Sequence, residues 1–280
     1  APIHVFVRVS NKLARFEVAA APHDEAITLV TNYLHQHDHK PQSPVLALIE
    51  GAHVMSHWML LADGSRHYLG GYEMAYNEYN VPVLAHHIAQ LARFTGAAAR
   101  PYSVAEHGLL CADIAHDAGH GPAVQLACLV HDLHEAITND MSSPAKWQLG
   151  TAWDTFEQPH ARALRRALGL QTVFTAHRAV IKHIDLVALA TERRDLMPWW
   201  PEVSEPWPVI DTPGREVYPC TTSLTTAKRE QMHWSEWRDA FTARYTELRG
   251  QMLRAHQRNV LEVAGGHLGI DHTPIGGAHS

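Results

Sequence analysis

The chain is poor in cysteine: Cys111, Cys128 and Cys220 are the three in 280 residues, an odd number with no C-x-x-C spacing. A disulfide framework is therefore not expected, and a reducing cytoplasm is the compartment that fits. No basic stretch followed by an apolar run stands at the start, so no secretory signal is expected. Nor does any apolar run approach the ~18 residues that a membrane span needs. Positive charge is short as well. A formal net charge of −6 leaves no electrostatic footprint for a nucleic-acid polymer. An acidic chain can still take a small phosphorylated ligand through a metal and a few local cations. No internal repeat is evident, and the segment HEAIT (134–138) is not H-E-x-x-H, which removes a zinc peptidase. What remains is ordinary for a soluble globular enzyme, with 46% apolar and 19% charged residues and room for one large domain plus an accessory segment. Histidine is the exception. There are 23, so most are bystanders and any single one is a weak signal.

Two regions differ along the chain. Residues 1–72 read as a small α/β accessory region. IHVFVRV (3–9) and ARFEVAA (14–20) alternate like strands, Asp24 can cap a short helix through TLVTNYLHQ, and VLALIEG is a strand or a buried segment. Residues 73–260 read as helical, giving a mainly α chain, and 261–280 as a tail. VPVLAHHIAQLARFTG has apolar residues at helical spacing up to Gly96. Ser103 and Glu106 form a capping box that starts a helix carrying His107 and ending near His116. AVQLACLVHDLHEA is a buried helix followed by turn-rich NDMSSPAK. ARALRRALGL ends at a capping glycine, and the long helix AHRAVIKHIDLVALATERRDLM is halted by Pro198. Residues 198–226 carry six prolines and form an irregular connection before a last helix packed by Trp237, Phe241, Tyr245 and Leu248.

The pair His131-Asp132 is the most informative feature. It stands at the end of an apolar helix, where a carboxylate and an imidazole are costly without partners. A divalent ion meets both needs if other ligands converge on it. His107 and Asp185 stand at suitable positions on other helices, and Ile181, Asp185 and Ala188 share one helical face, which turns Asp185 inward. Taken singly, His107 is more often a core or surface histidine, and Asp185 more often an exposed helix charge. Glu135, four residues after His131, falls one helical turn on and can face the same pocket.

SVAEH, VHDLHEAITNDMSSPAK and IDLVALATERRDLM together resemble the HD-domain phosphohydrolases, most nearly their bacterial and phage 5′-deoxynucleotidase-like branch. The likeness covers roughly residues 56–250 and includes Arg93-Phe94, which match an upstream Arg-aromatic pair of that branch. It implies an HD-type helical bundle in which His107, His131, Asp132 and Asp185 hold one divalent metal ion. Mixed nitrogen and oxygen ligands suit Mn, Co, Fe, Ni, Zn or Mg without choosing among them. It further implies that Glu135 orients or deprotonates an attacking water and that Asp140 protonates the leaving oxygen or binds the sugar hydroxyl. Arg93 would contact phosphate, Phe94 would pack near the sugar and exclude a 2′-hydroxyl, and Lys146 would stand at the pocket rim. Asn139 replaces the glycine frequent in the family, a mild departure because Asn tolerates left-handed backbone.

The implied partner is a small deoxynucleotide, either a 5′-monophosphate or a triphosphate, with no nucleic-acid polymer and no membrane. Relatives in that branch commonly form oligomers, which leaves a homo-oligomer open. A second pair, His116-Asp117 in HDAGHGP with His120 nearby, is the rival centre, since the same string is the metal dyad in another branch of the superfamily. Only nine residues separate it from His107, too few for the intervening turn and helix. A different class of reading is a non-catalytic nucleotide sensor or scaffold that retains the metal site. Glu135 and Asp140 argue against it, because a pure binder needs neither. Ser142 and Ser143 read as turn residues, since no histidine is placed to activate them.

Overall fold

The computed structural model describes residues 3–9, 12–18, 28–30, 32–34, 46–49 and 57–266, with side chains described over 28–30, 32–34 and 57–258. The chain is mainly α-helical. It divides into two compact units, one of Ala1–Trp58 with Gly70–Glu73 and the other of Met59–Leu69 with Met74–Ser280. In the first unit β1 (Ile3–Val9) lies between β2 (Lys12–Val18) and β3 (Leu46–Ile49), antiparallel to both. Ile3 stands opposite Val18 on one side and Ile49 on the other. The expected helix cap at Asp24 lies outside the described residues.

A short hairpin joins β4 (Trp58–Leu60) and β5 (Arg66–Tyr68), with all but Trp58 counted in the second unit. Its turn is built by Asp63, whose carboxylate accepts from the Ser65 amide and hydroxyl, and by Gly64 at φ +83°. The helices are α1 (Val81–Ile88), α2 (Val104–Asp117), α3 (Pro122–Leu129), α4 (Glu135–Thr138), α5 (Ser143–Leu149) and α6 (Thr151–Ala167). They are followed by α7 (Gln171–Ala176), α8 (Arg178–Leu196), α9 (Pro208–Asp211), α10 (Ala227–Gln231) and α11 (Trp234–Gly266). Among the described residues no helix is long and apolar enough to cross a membrane.

α2 is the centre of the bundle. Every residue from Val104 to Ala112 is buried, and α3, α8 and α11 pack around it. The Ser103 hydroxyl accepts from the Glu106 amide at 3.2 Å, which caps its first turn. The Glu106 carboxylate does not complete a capping box. It accepts from Arg100 and Arg229 instead. α11 closes the core with Trp237, Phe241 and Leu248, with Tyr245 packed at the margin. Burying each of the larger side chains contributes on the order of 2 kcal/mol.

Three helices end or run differently from the pattern expected. The helix expected to reach Gly96 stops at Ile88, because the backbone of 91–104 pairs with itself. Arg93 N donates to Tyr102 O, Val104 N donates to Leu91 O, and Ala92 bridges Ser103. Phe94 and Thr95 then take φ of 56° and 54°, which no right-handed helix allows. The helix expected through AVQLACLVHDLHEA stops at Leu129 and restarts at Glu135, with tight turns between: Leu133 N donates to Val130 O and Glu135 N to Asp132 O. α11 runs on to Gly266, into the stretch read as tail, and the remainder lies outside the described residues.

Candidate metal centre

Four side chains from three segments meet at the end of α3. His107 comes from the first turn of α2, His131 and Asp132 from the turn after α3, and Asp185 from the middle of α8. His107 Nε2 stands 3.3 Å from His131 Nε2, 3.4 Å from Asp185 Oδ1 and 3.6 Å from Asp132 Oδ2. His131 Nε2 stands 3.2 Å from Asp132 Oδ2 and 3.6 Å from Asp185 Oδ1. Two ligands each about 2.1 Å from one ion, at tetrahedral angles, are about 3.4 Å apart. The observed separations scatter about that value, so the four atoms suit a single divalent ion.

The proton positions fit as well. His131 Nδ1 lies 2.7 Å from the Cys128 carbonyl, and a carbonyl can only accept. His107 Nδ1 lies 2.5 Å from Glu192 Oε1, a carboxylate that likewise only accepts. In the neutral ring both Nε2 atoms are therefore free to ligate. Without an ion, protons do its work. Burial opposes charge on all four groups, yet Asp132 and Asp185 raise His131 well above the ordinary imidazole range. The same burial opposes ionisation of Asp185, but the two imidazoles hold its carboxyl well below the usual carboxylate range. Asp132 is lowered likewise, chiefly by His131. A divalent ion would displace those protons and leave the ligands deprotonated.

A cleft of about 690 Å³ opens above the centre, and Asp132 and Asp185 form part of its wall. Arg93, Phe94, Glu135, Asp140 and Lys146 line the same cleft, with Trp147 and Trp207 beside them. Arg93 is buried; its Nη2 donates to Glu192 Oε2 at 3.2 Å and its Nη1 stands 3.6 Å from Asp132 Oδ2. The Phe94 ring lies 6.2 Å from that of Trp207. Glu135 is buried, and its Oε2 has no hydrogen-bond partner among the described residues. Burial, then the charges of Asp132 and Asp140, push the Glu135 carboxyl well above its ordinary range. Burial also raises Asp140, against the pull of Arg93. Lys146 reaches in to donate to Glu157 Oε1 at 2.7 Å and stands 3.7 Å from Glu135 Oε1. It is thus an internal counter-charge as well as a rim residue.

His116 and Asp117, the rival pair, are exposed in the last turn of α2 and, among the described residues, their side chains pair with each other, at 3.1 Å. They do not join the centre. Ser142 and Ser143 line the cleft where α5 begins. Four residues near the site escaped the sequence reading. Glu192 backs His107, Cys111 Sγ lies 3.6 Å from His107 Nε2, and His134 and Glu157 form with Glu135 a second cluster of metal-ligating types. Spacing carried a signal for two of them: Cys111 is one helical turn from His107, and Glu192 is two turns from Asp185.

No family model matches the chain. It is 30% identical over 132 residues to the uncharacterized protein YfdR of Escherichia coli (strain K12), across 47% of this chain and 67% of that protein. It is 32% identical over 118 residues to the uncharacterized protein RCAP_rcc00048 of Rhodobacter capsulatus, across 40% of this chain. Of that second relative it spans 60%, less than two thirds. Neither name states an activity. At 30% identity over two thirds of its relative's length, the chain belongs to the family of YfdR.

Proposed function

We propose that this protein is a metal-dependent phosphohydrolase of the HD-domain type that acts on deoxynucleotides. The observation that carries the reading is the convergence of His107, His131, Asp132 and Asp185 beneath a cleft walled by Arg93 and Glu135. The four convergent residues would hold one divalent ion, which supplies Lewis-acid polarisation of a phosphoryl oxygen and an acidified water.

The chain's own groups do the rest. Arg93 lines the cleft with its Nη1 3.6 Å from Asp132 Oδ2, and a phosphate oxygen would accept from that guanidinium. Glu135 lines the cleft, and once a divalent ion offsets the Asp132 charge that raises its carboxyl, it would accept the proton of the attacking water as the new O–P bond forms. As the O–P bond to the sugar breaks, Asp140 gives its proton to the leaving oxygen, a task suited to a carboxyl raised by burial. Phe94 and Trp207, with rings 6.2 Å apart in the cleft wall, would flank the sugar, and Phe94 would select against a 2′-hydroxyl. Lys146 offsets the charge of Glu135 and Glu157 so that both can stay buried.

The test is a phosphate- and nucleoside-release assay on the metal-free protein. It crosses deoxy- and ribonucleoside mono- and triphosphates with Mn, Co, Ni, Zn and Mg, with Asp132→Ala as control. Release from deoxynucleotides that vanishes in the variant is expected. No release from any of them by protein shown to bind a metal would move the reading to a nucleotide sensor.

A further inference from the structure

We propose that Glu192 is a positioning residue that sets the metal affinity of the centre, acting through His107 while it anchors Arg93; this rests on the metal-centre reading above. Glu192 is fully buried on α8, two turns beyond Asp185. Its Oε1 lies 2.5 Å from His107 Nδ1, and its Oε2 accepts from Arg93 Nη2 at 3.2 Å. A carboxylate has two acceptor oxygens and no donor, so it serves two donors at once. His107 therefore keeps its proton on Nδ1 and turns the Nε2 lone pair towards the centre, 3.3 Å from His131 Nε2 and 3.4 Å from Asp185 Oδ1. At its other end the same carboxylate holds the guanidinium whose Nη1 stands 3.6 Å from Asp132 Oδ2. One side chain thus fixes a ligand ring and sets the reach of the cation over a second ligand.

A purely structural Arg–Glu pair would explain less. A buried ion pair is commonly replaceable by apolar residues without loss of stability, and such a pair needs no third partner. The bond to His107 is what an apolar replacement cannot make. Carboxylates and carbonyls behind a ligating histidine orient its ring and raise its basicity, and their loss typically weakens metal binding about 10–100-fold.

Glu192→Gln isolates the point. The amide has nearly the same shape but one acceptor, and it faces two donors. Either His107 moves its proton to Nε2, the ligating atom, or Arg93 loses its anchor. Calorimetric titration of the chelator-treated full chain with Zn, Co and Mn should show binding about 10–100-fold weaker in the variant. Helix content and cooperative urea unfolding should be retained. Inorganic phosphate, titrated into zinc-loaded protein, reports the Arg93 end and should also bind more weakly. In zinc-loaded wild type, nitrogen-15 NMR should find the His107 Nδ1 proton at low field and slow to exchange, a signature that a structural role would not require. If the variant fails to fold, that wild-type spectrum decides. Metal binding within about threefold of wild type, or a His107 Nδ1 without its proton, overturns the role of Glu192. Wild type that binds no divalent ion overturns the metal centre itself, and this role with it.

Discussion

Gly108 follows His107 where α2 packs against α3 and α11. A Cβ built there meets the Leu129 carbonyl oxygen at 2.5 Å and Phe241 Cε2 at 3.0 Å. Gly108→Ala therefore sets two effects against each other. Alanine in a helix interior gains about 1 kcal/mol over glycine. Against that, the contact to Leu129 O must grow from 2.5 Å to at least 3.0 Å, and to 3.4 Å for ordinary contact, a movement of roughly 0.5–0.9 Å. The obstacle is backbone, so no rotamer change relieves it. Overpacking of this kind costs about 1–3 kcal/mol or more, and it wins. The expected net loss is about 1–2 kcal/mol, read in a chain of this length as a melting point lower by roughly 2–4 °C.

The displacement also falls on the candidate metal centre. Leu129 ends α3 two residues before His131, and Gly108 is bonded to His107, so α2 and α3 cannot part without moving the 3.3 Å separation of the two imidazoles. Sites of this kind tolerate about 0.5 Å. Metal affinity should fall at least about tenfold, equivalent to about 1.4 kcal/mol. Urea unfolding in chelator measures the first effect and calorimetric metal titration the second. Gly250→Ala on α11 is the paired control, since its Cβ would meet only the flexible end of Arg254 at 3.2 Å. That change should stabilise by several tenths to about 1 kcal/mol. A Gly108→Ala protein that matches Gly250→Ala in stability, or binds metal like wild type, would refute the close-approach argument.

Three further outcomes are expected. Metal at about 100 times its dissociation constant should raise unfolding stability by about 2.7 kcal/mol, and Asp185→Ala should abolish the increment; a melting transition indifferent to chelation counts against the buried four-residue centre. Asn139 holds φ 71° and ψ 157°, outside the left-handed helical well, while its Oδ1 accepts from the Asp140 amide at 3.0 Å. Asn139→Ala loses the bond and keeps the strain, so urea midpoints should rank it about 1 kcal/mol below Asn139→Gly, and the reverse order would show the turn to be unstrained. Burial, with the neighbouring His160, pushes the fully buried His67 imidazole down to about 4. The unfolded chain takes up that proton near 6.5, so stability should fall as pH drops from about 6.5 to about 4, by up to about 3 kcal/mol. His67→Gln should flatten the pH dependence of the urea midpoint over that window, and an unchanged slope would assign it to other groups.

Three of the four convergent residues were legible in the sequence because they sit at helix punctuation, and Asp185 because it lies on a periodic helix face. Ser103 caps α2 just before His107, and Ile181, Ile184 and Ala188 bury the side of α8 next to Asp185. What it hid was backbone reversal under an unbroken apolar period. Leu91 and Phe94 continue the spacing of α1, and Leu133 that of α3, yet both helices stop. The first stops because residues 91–104 pair with each other. The second stops where the His131 ring takes up the Cys128 carbonyl, one of the orphan acceptors at the helix end. The ring that caps the helix is the ring that presents Nε2, so the break in α3 and the candidate metal centre share that residue. Glu192 was hidden for the opposite reason. It lies in the charged run TERRD, and it is buried because donors from two distant segments, Arg93 and His107, converge on it. Local period decides where an apolar side chain goes. Spacing sets Glu192 two turns from Asp185, but its burial as a carboxylate is decided by partners 85 and 99 residues away, outside α8.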